Sequence, residues 1–276
     1  MKNKFVASLF FLLFAAFYVA SCSDNVTDPV QSGNGRLKLL MVDSPATLDS
    51  VIINVMEVSV HYAGDDSTEG GWMVINNTER YFDLLQLTNG AVAVLGDTIL
   101  PAGKYTQIRL LLGDDNYVYD NGVRYDLTTP SAQQSGLKLI HPFDILAGNV
   151  YELFLDFNVE KSIVITGNGK YILKPTIRVQ AAVASGSISG LVLPLDADPV
   201  IWTVAGEDTI TTFTDENGFF TLMALPQGTY DINIDPINPV YQPVIVDDVV
   251  VTAGQDTNIG TIDLSDTTDA SLDNVE

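Results

Sequence analysis

Cysteine is all but missing from this 276-residue chain, in which Cys22 stands alone. A single thiol excludes an internal disulfide and a zinc site built on thiolates, so the fold has to be held by burial. Histidine is scarce as well. His61 and His141 are the only two, each in or beside a segment of strand-like alternation, where a hydrogen-bonded structural role is expected of both. Gly186-Ser187-Ile188-Ser189-Gly190 has Ile188 at the centre, where a nucleophile elbow needs serine, and no histidine follows it. Positive charge is the third shortage: 13 Lys and Arg stand against 35 Asp and Glu, a net charge of −22. Phosphate backbones are repelled by such a chain, which excludes nucleic acid as a partner. Docking on anionic lipid by charge is excluded for the same reason. The shortage is uneven, because no Lys or Arg follows Arg178 while residues 179–276 hold 16 acids.

What is present at the start is a secretory pattern. Met1-Lys2-Asn3-Lys4 is followed by an apolar run from Phe5 to Ala20, and Val19-Ala20-Ser21 stands directly before Cys22. A charged region, an apolar region and small residues at a cut site make a signal peptide. Cysteine at the first position after the cut adds a thiol that can carry a diacylglycerol, so lipidation is expected at Cys22. The alternative is a single membrane span with an incidental cysteine, but the run is short for a span and lacks a basic flank after it. Ser23 follows Cys22 and Asp24 comes next, a pattern compatible with delivery to an outer membrane. Cleavage would remove two of the basic residues and no acid, leaving a net charge of −24. The expected organisation is a signal peptide (1–21), a flexible tether (22–35), two β-sandwiches (36–184 and 185–264) and an acidic tail (265–276).

An all-β fold follows from period-two alternation. Ile108, Leu110 and Leu112 alternate with Gln107, Arg109 and Leu111, and Tyr230, Ile232 and Ile234 alternate with Asp231, Asn233 and Asp235. Gly, Asn, Asp or Pro clusters break these runs about every ten residues, which suits strands and turns. A turn of helix at most is expected at Asp83-Leu84-Leu85-Gln86-Leu87. The densest oxygen cluster, Asp114-Asp115-Asn116 with Asp120-Asn121, is out of register with a calcium-binding EF-hand loop and reads first as a solvated loop. Neither a metal site, a cofactor nor a catalytic centre is expected.

One segment stands apart. In Tyr117-Val118-Tyr119-Asp120-Asn121-Gly122-Val123-Arg124-Tyr125-Asp126, the Asn-Gly pair predicts a two-residue type I′ hairpin. That register pairs Tyr119 with Arg124 and Tyr117 with Asp126, and places these four on one face. Val118, Val123 and Tyr125 fall on the other. If the valines face the core, Tyr117, Tyr119, Arg124 and Asp126 form an outward face suited to a glycan or a protein partner.

Several motifs together resemble the family known as domain of unknown function 4382, over roughly residues 35–180. They are Val42-Asp43-Ser44-Pro45, Phe82-Asp83-Leu84-Leu85-Gln86-Leu87, Leu100-Pro101-Ala102-Gly103-Lys104-Tyr105, Pro130 to Lys138, Leu155-Asp156-Phe157 and Leu173-Lys174-Pro175-Thr176-Ile177-Arg178. The family's usual Asp-Ala-Pro reads Asp-Ser-Pro here. This resemblance implies an exported β-rich domain and no agreed activity. A second set, Ser187 to Val192, Thr214-Asp215-Glu216-Asn217-Gly218-Phe219-Phe220 and Leu225-Pro226-Gln227-Gly228-Thr229-Tyr230, resembles the carboxypeptidase regulatory-like domain, a transthyretin-like sandwich without implied peptidase activity. Related domains on some bacterial surfaces close Lys–Asn isopeptide bonds, which the absence of lysine after Lys174 rules out in this half. The expected function is a non-enzymatic, lipid-anchored envelope module for binding, adhesion or scaffolding. Glycan or nutrient capture for a transporter, and a fimbria-like subunit, are the alternatives.

Overall fold

The computed structural model describes residues 33–44, 46–64, 71–129 and 135–265. The expected signal peptide, Cys22, most of the tether and most of the acidic tail lie outside the described residues, while Asn34 and Gly35, given to the tether above, belong to the first strand. The described chain is all-β, built as sandwiches. Its first thirteen strands are β1 (Asn34–Ser44), β2 (Ser50–Tyr62), β3 (Trp72–Asn76), β4 (Arg80–Asp83), β5 (Ala93–Pro101), β6 (Gly103–Leu112), β7 (Tyr117–Asp120), β8 (Val123–Thr128), β9 (Leu137–Ile145), β10 (Val150–Asn158), β11 (Ile163–Ile165), β12 (Tyr171–Leu173) and β13 (Ile177–Ala181). A helical turn, α1 (Val159–Ser162), follows β10, and Asn158 caps it by accepting a hydrogen bond from the Lys161 amide. The turn expected near Asp83 is there as a 3-10 turn at Leu84–Gln86, where the Asp83 carboxylate accepts from the Leu85 amide.

These strands form a four-stranded sheet, β13-β10-β1-β5, facing a nine-stranded sheet. The larger sheet runs β11-β12-β8-β7-β2-β6-β9, with β3 and β4 also paired to β2. Between them lies a core made by the inward rows of the alternating strands, including Leu37, Ile53, Val60, Tyr105, Leu153 and Phe157. Apolar burial on this scale is the main stabilising term, at roughly 1.5–3 kcal/mol for each large side chain. Tyr105 is fully buried and keeps its hydroxyl satisfied by donating to the Pro101 carbonyl at 2.8 Å. Burial holds its phenol up at about 12.

Seven further strands follow a 3-10 turn at Ala182–Ala184: β14 (Ser185–Leu193), β15 (Pro199–Ala205), β16 (Asp208–Phe213), β17 (Phe219–Pro226), β18 (Gly228–Pro236), β19 (Val244–Val251) and β20 (Asp256–Asp263). They make a three-stranded sheet, β17-β14-β20, and a four-stranded sheet, β16-β15-β18-β19, around a second core that includes Ile201, Phe220, Leu222 and Ile234. The Asp215-Glu216-Asn217-Gly218 turn closes as its sequence suggests. The Asp215 carboxylate accepts from the amides of Asn217 and Phe219, and Gly218 sits at φ +85°. Gly190 is required by packing, since a Cβ there would stand 2.7 Å from the Phe220 ring.

A buried ion pair joins the two halves. Arg178 on β13 bonds Asp156 on β10 at 2.7 Å, and its Nη1 donates to the Ala224 carbonyl on β17 at 2.9 Å. Ala224 has φ +55° beside a bulge in the β14–β17 ladder, the backbone kink that aims its carbonyl at Arg178. Burial pushes the Asp156 carboxyl up, Arg178 pulls it back down, and nearby Asp208 adds to the rise. Asn89 adds a second link, donating to the Phe219 carbonyl at 3.1 Å.

Candidate functional site

The hairpin has the register its sequence predicts. Tyr119 pairs with Arg124 and Tyr117 with Asp126, and Asn121 and Gly122 take φ +50° and +74°, the two positive values a type I′ turn needs. Because β7 pairs with β2, the hairpin is part of the nine-stranded sheet, and its outward row is part of that sheet's outer face. Val118 is fully buried and Tyr125 stacks on Tyr171 with ring centres 4.5 Å apart, so that face does turn to the core. Val123 departs from the expectation. It is 50% exposed, because the hairpin tip runs beyond the edge of the core.

On the outer face the four expected residues come together as one cluster. The Arg124 guanidinium lies 3.8 Å over the Tyr117 ring and is held by Asp115 at 2.7 Å and Asp126 at 3.1 Å. Tyr119 meets Tyr117 edge-on at 5.9 Å. Arg124 therefore covers the Tyr117 ring, so Tyr119, 37% exposed, offers the freer aromatic surface. Sequence reasoning missed a third ring. Tyr81 on β4 is 51% exposed on the same outer face, across β2 from the hairpin, with its hydroxyl on Glu79. Burial first, then the charge of Glu79, raises its pKa. The available signal was alternation in Arg80-Tyr81-Phe82, which sends Phe82 inward and Tyr81 out.

The same outer face has a second platform at the other end of β2. Arg109 lies 4.5 Å over the Trp72 ring while bonding Glu57 and Ser59, Lys138 reaches within 5.8 Å of that ring, and His61 meets it edge-on. His61 also bonds the Thr106 hydroxyl at 2.9 Å. His141 is half-buried near Phe143, and burial depresses its pKa.

The oxygen-rich loop serves the fold. Asn116 is buried, accepting from the Asn54 amide at 2.8 Å and donating to the Gly113 carbonyl at 2.6 Å. Asp115 pairs with Arg124, and Asp120 accepts from the Tyr171 hydroxyl at 2.8 Å, which holds that phenol up at about 12. Among the described residues no group of three or more His, Cys, Asp or Glu side chains converges as a metal site. No described helix is long and apolar enough to cross a membrane. A cleft of about 310 Å³ lies between the two halves, lined mainly by apolar side chains including Leu48, Ile163, Tyr171, Val200 and Phe213.

A sheet sandwich with no assigned chemistry defines the class, and sequence defines the family. Residues 34–175 match the family described as Domain of unknown function (DUF4382), and this chain belongs to it. No curated protein sequence matches the chain. Among solved structures, a cohesin–X-module–dockerin complex from Acetivibrio cellulolyticus is 26% identical over 28% of this chain and 52% of that one, with a TM-score of 0.23. The chain thus spans about half the length of that structure. The minor pilin GBS52 of Streptococcus agalactiae is 11% identical over 82% of this chain and 94% of its own, with a TM-score of 0.23. The shaft pilin SpaA of Lactobacillus rhamnosus GG is 8% identical over 83% of this chain and 96% of its own, with a TM-score of 0.23.

Proposed function

We propose that this chain is a non-catalytic contact module of the cell envelope, tethered to the outer membrane through a lipid on Cys22, serving binding, adhesion or scaffolding. Its second half, on this reading, is a carboxypeptidase regulatory-like accessory sandwich. The observation that carries the proposal is the outer face of the nine-stranded sheet, where Tyr81, Tyr117 and Tyr119 share a face with an arginine that lies over the Tyr117 ring and is held by two carboxylates. Aromatic rings with an ordered arginine are the side chains that dominate protein contact surfaces. The described histidines bear on the same reading, since each is engaged with neighbouring side chains.

Crosslinking on intact cells tests it. The Tyr117→Ser/Tyr119→Ser variant should lose its envelope crosslinks while keeping its circular dichroism. Crosslinks unchanged in that variant would remove this face from the function. A second reading, capture of a neutral glycan, is favoured by the exposure of Tyr81 and Tyr119 and requires saturable oligosaccharide binding lost in the same variant.

A further inference from the structure

The two platforms share one strand, and their positions on it are symmetric. β2 is 13 residues long, and β4 and β7 pair with its first half while β3 and β6 pair with its second. Each half has a third layer outward of it, β8 beside β7 and β9 beside β6. The row through Ile52 crosses to Tyr117 and Asp126; the row through Ser59 crosses to Arg109 and Lys138. The row through Ser50 ends on Tyr119 and Arg124, and that through His61 on Gln107 and Ile140. Ile52 and Ser59 are equidistant along the chain from the Val55–Met56 peptide near the middle of β2, and so are Ser50 and His61.

Charge divides along the same line. Around the first half of β2 the acids Glu79, Asp115 and Asp126 outnumber Arg124; around the second half Arg109 and Lys138 outnumber Glu57. Lys138 makes no ion pair with a described residue, and Asp126 keeps most of its carboxylate in solvent, with 84% of its side chain exposed. Apolar surface accompanies both ends: Tyr81 is 51% exposed, Val74 50% and Ile140 81%. A two-fold axis lying across the middle of β2 would lay the basic half of one copy on the acidic half of another, and the acidic half on the basic.

We propose that the outer face of the nine-stranded sheet is a self-complementary interface for a second copy of this chain, with Lys138 of each copy opposite Asp126 of the other. This rests on the reading of that face as a contact surface and names its partner. Isologous pairing of this kind closes on itself and leaves no surface to propagate. The face is large enough: β2 spans about 40 Å and four strand layers about 19 Å, roughly 800 Å² per copy, the area of a standard specific interface. Sheets packed in this way align within about 30°, which keeps the facing rows in register near the axis.

Light scattering coupled to size-exclusion chromatography on the full-length chain in detergent tests this. The wild type should be a dimer at low salt. Lys138→Glu should weaken it at least about tenfold, because two like-charge contacts replace two attractive ones, and Asp126→Lys should do the same. Mixing the two variants in equal amounts should restore the dimer, because opposite charges then face each other on both sides of the axis. Unchanged melting curves for both variants establish that folding is intact. A monomeric wild type, or a mixture that stays monomeric, overturns the proposal. If that happens while Tyr117→Ser/Tyr119→Ser still loses its envelope crosslinks, the contact face stands and only its partner is wrong. If the crosslinks also survive, both readings fail.

Discussion

At the residue scale, solvation and neighbours set two opposite pH responses. Burial lowers the pKa of His141 from 6.5, so its contribution to stability is full above that value and is lost as pH falls through the depressed folded-state value. Burial raises Asp156 from 3.8, so its contribution is present below that value and is lost as pH rises through the elevated one. Melting temperature should therefore fall on acidification from pH 7 into the range just below 6.5, and His141→Leu should flatten that part of the profile; an unchanged slope would assign it to other groups. The outward tyrosines give a second expectation. Because Tyr117 carries Arg124 on its ring, Tyr117→Ser/Tyr119→Ser should cost about 1–2 kcal/mol in chemical denaturation, well short of the loss expected for a core ring. By contrast Phe220→Ala, at 1% exposure in the second core, should cost about 3–5 kcal/mol.

Elements divide into those that local sequence specifies and those it cannot. The hairpin belongs to the first kind. Asn121-Gly122 supplies two residues tolerant of positive φ, and alternation on either side sets which side chains go out. Replacing both with alanine should destabilise the hairpin by about 1–2 kcal/mol for each left-handed residue, with hydrogen exchange accelerated in β7 and β8 first. The Leu84–Gln86 turn and the Asp215–Gly218 turn were legible for the same reason, as each is closed by an aspartate within a few residues. Pairings between distant strands were not legible. β1 pairs in parallel with β10, and nothing in either segment names the other. Trp72 was legible as an exposed aromatic, but its partners were not, because Arg109 and Lys138 reach its ring only through the β2–β6–β9 order. Ala224 at φ +55° defies local reading altogether, since alanine does not favour that conformation.

For the whole molecule, the feature that matters is how the halves are joined. A side chain from β13 is shared between a buried carboxylate of its own half and a backbone carbonyl of the other. Arg178→Ala leaves Asp156 buried without its partner and should cost about 3–5 kcal/mol. Calorimetry is expected to show the wild type melting in one transition and this variant in two, as the shared contact is lost; a single transition in both would mean other contacts couple the halves. The parallel pairing of β1 with β10 has a consequence in time. A chain made at about 5–20 residues per second would complete β1 several seconds before β10 exists to meet it. Over that interval β1 can pair only with β5, and its edge toward β10 stays open. β14 then waits in the same way for β20, the last of the described strands. β1 and β14 are thus each laid down well before the strand that closes their open edge, and whatever receives the nascent chain must keep those edges apart from its neighbours until β10 and then β20 arrive.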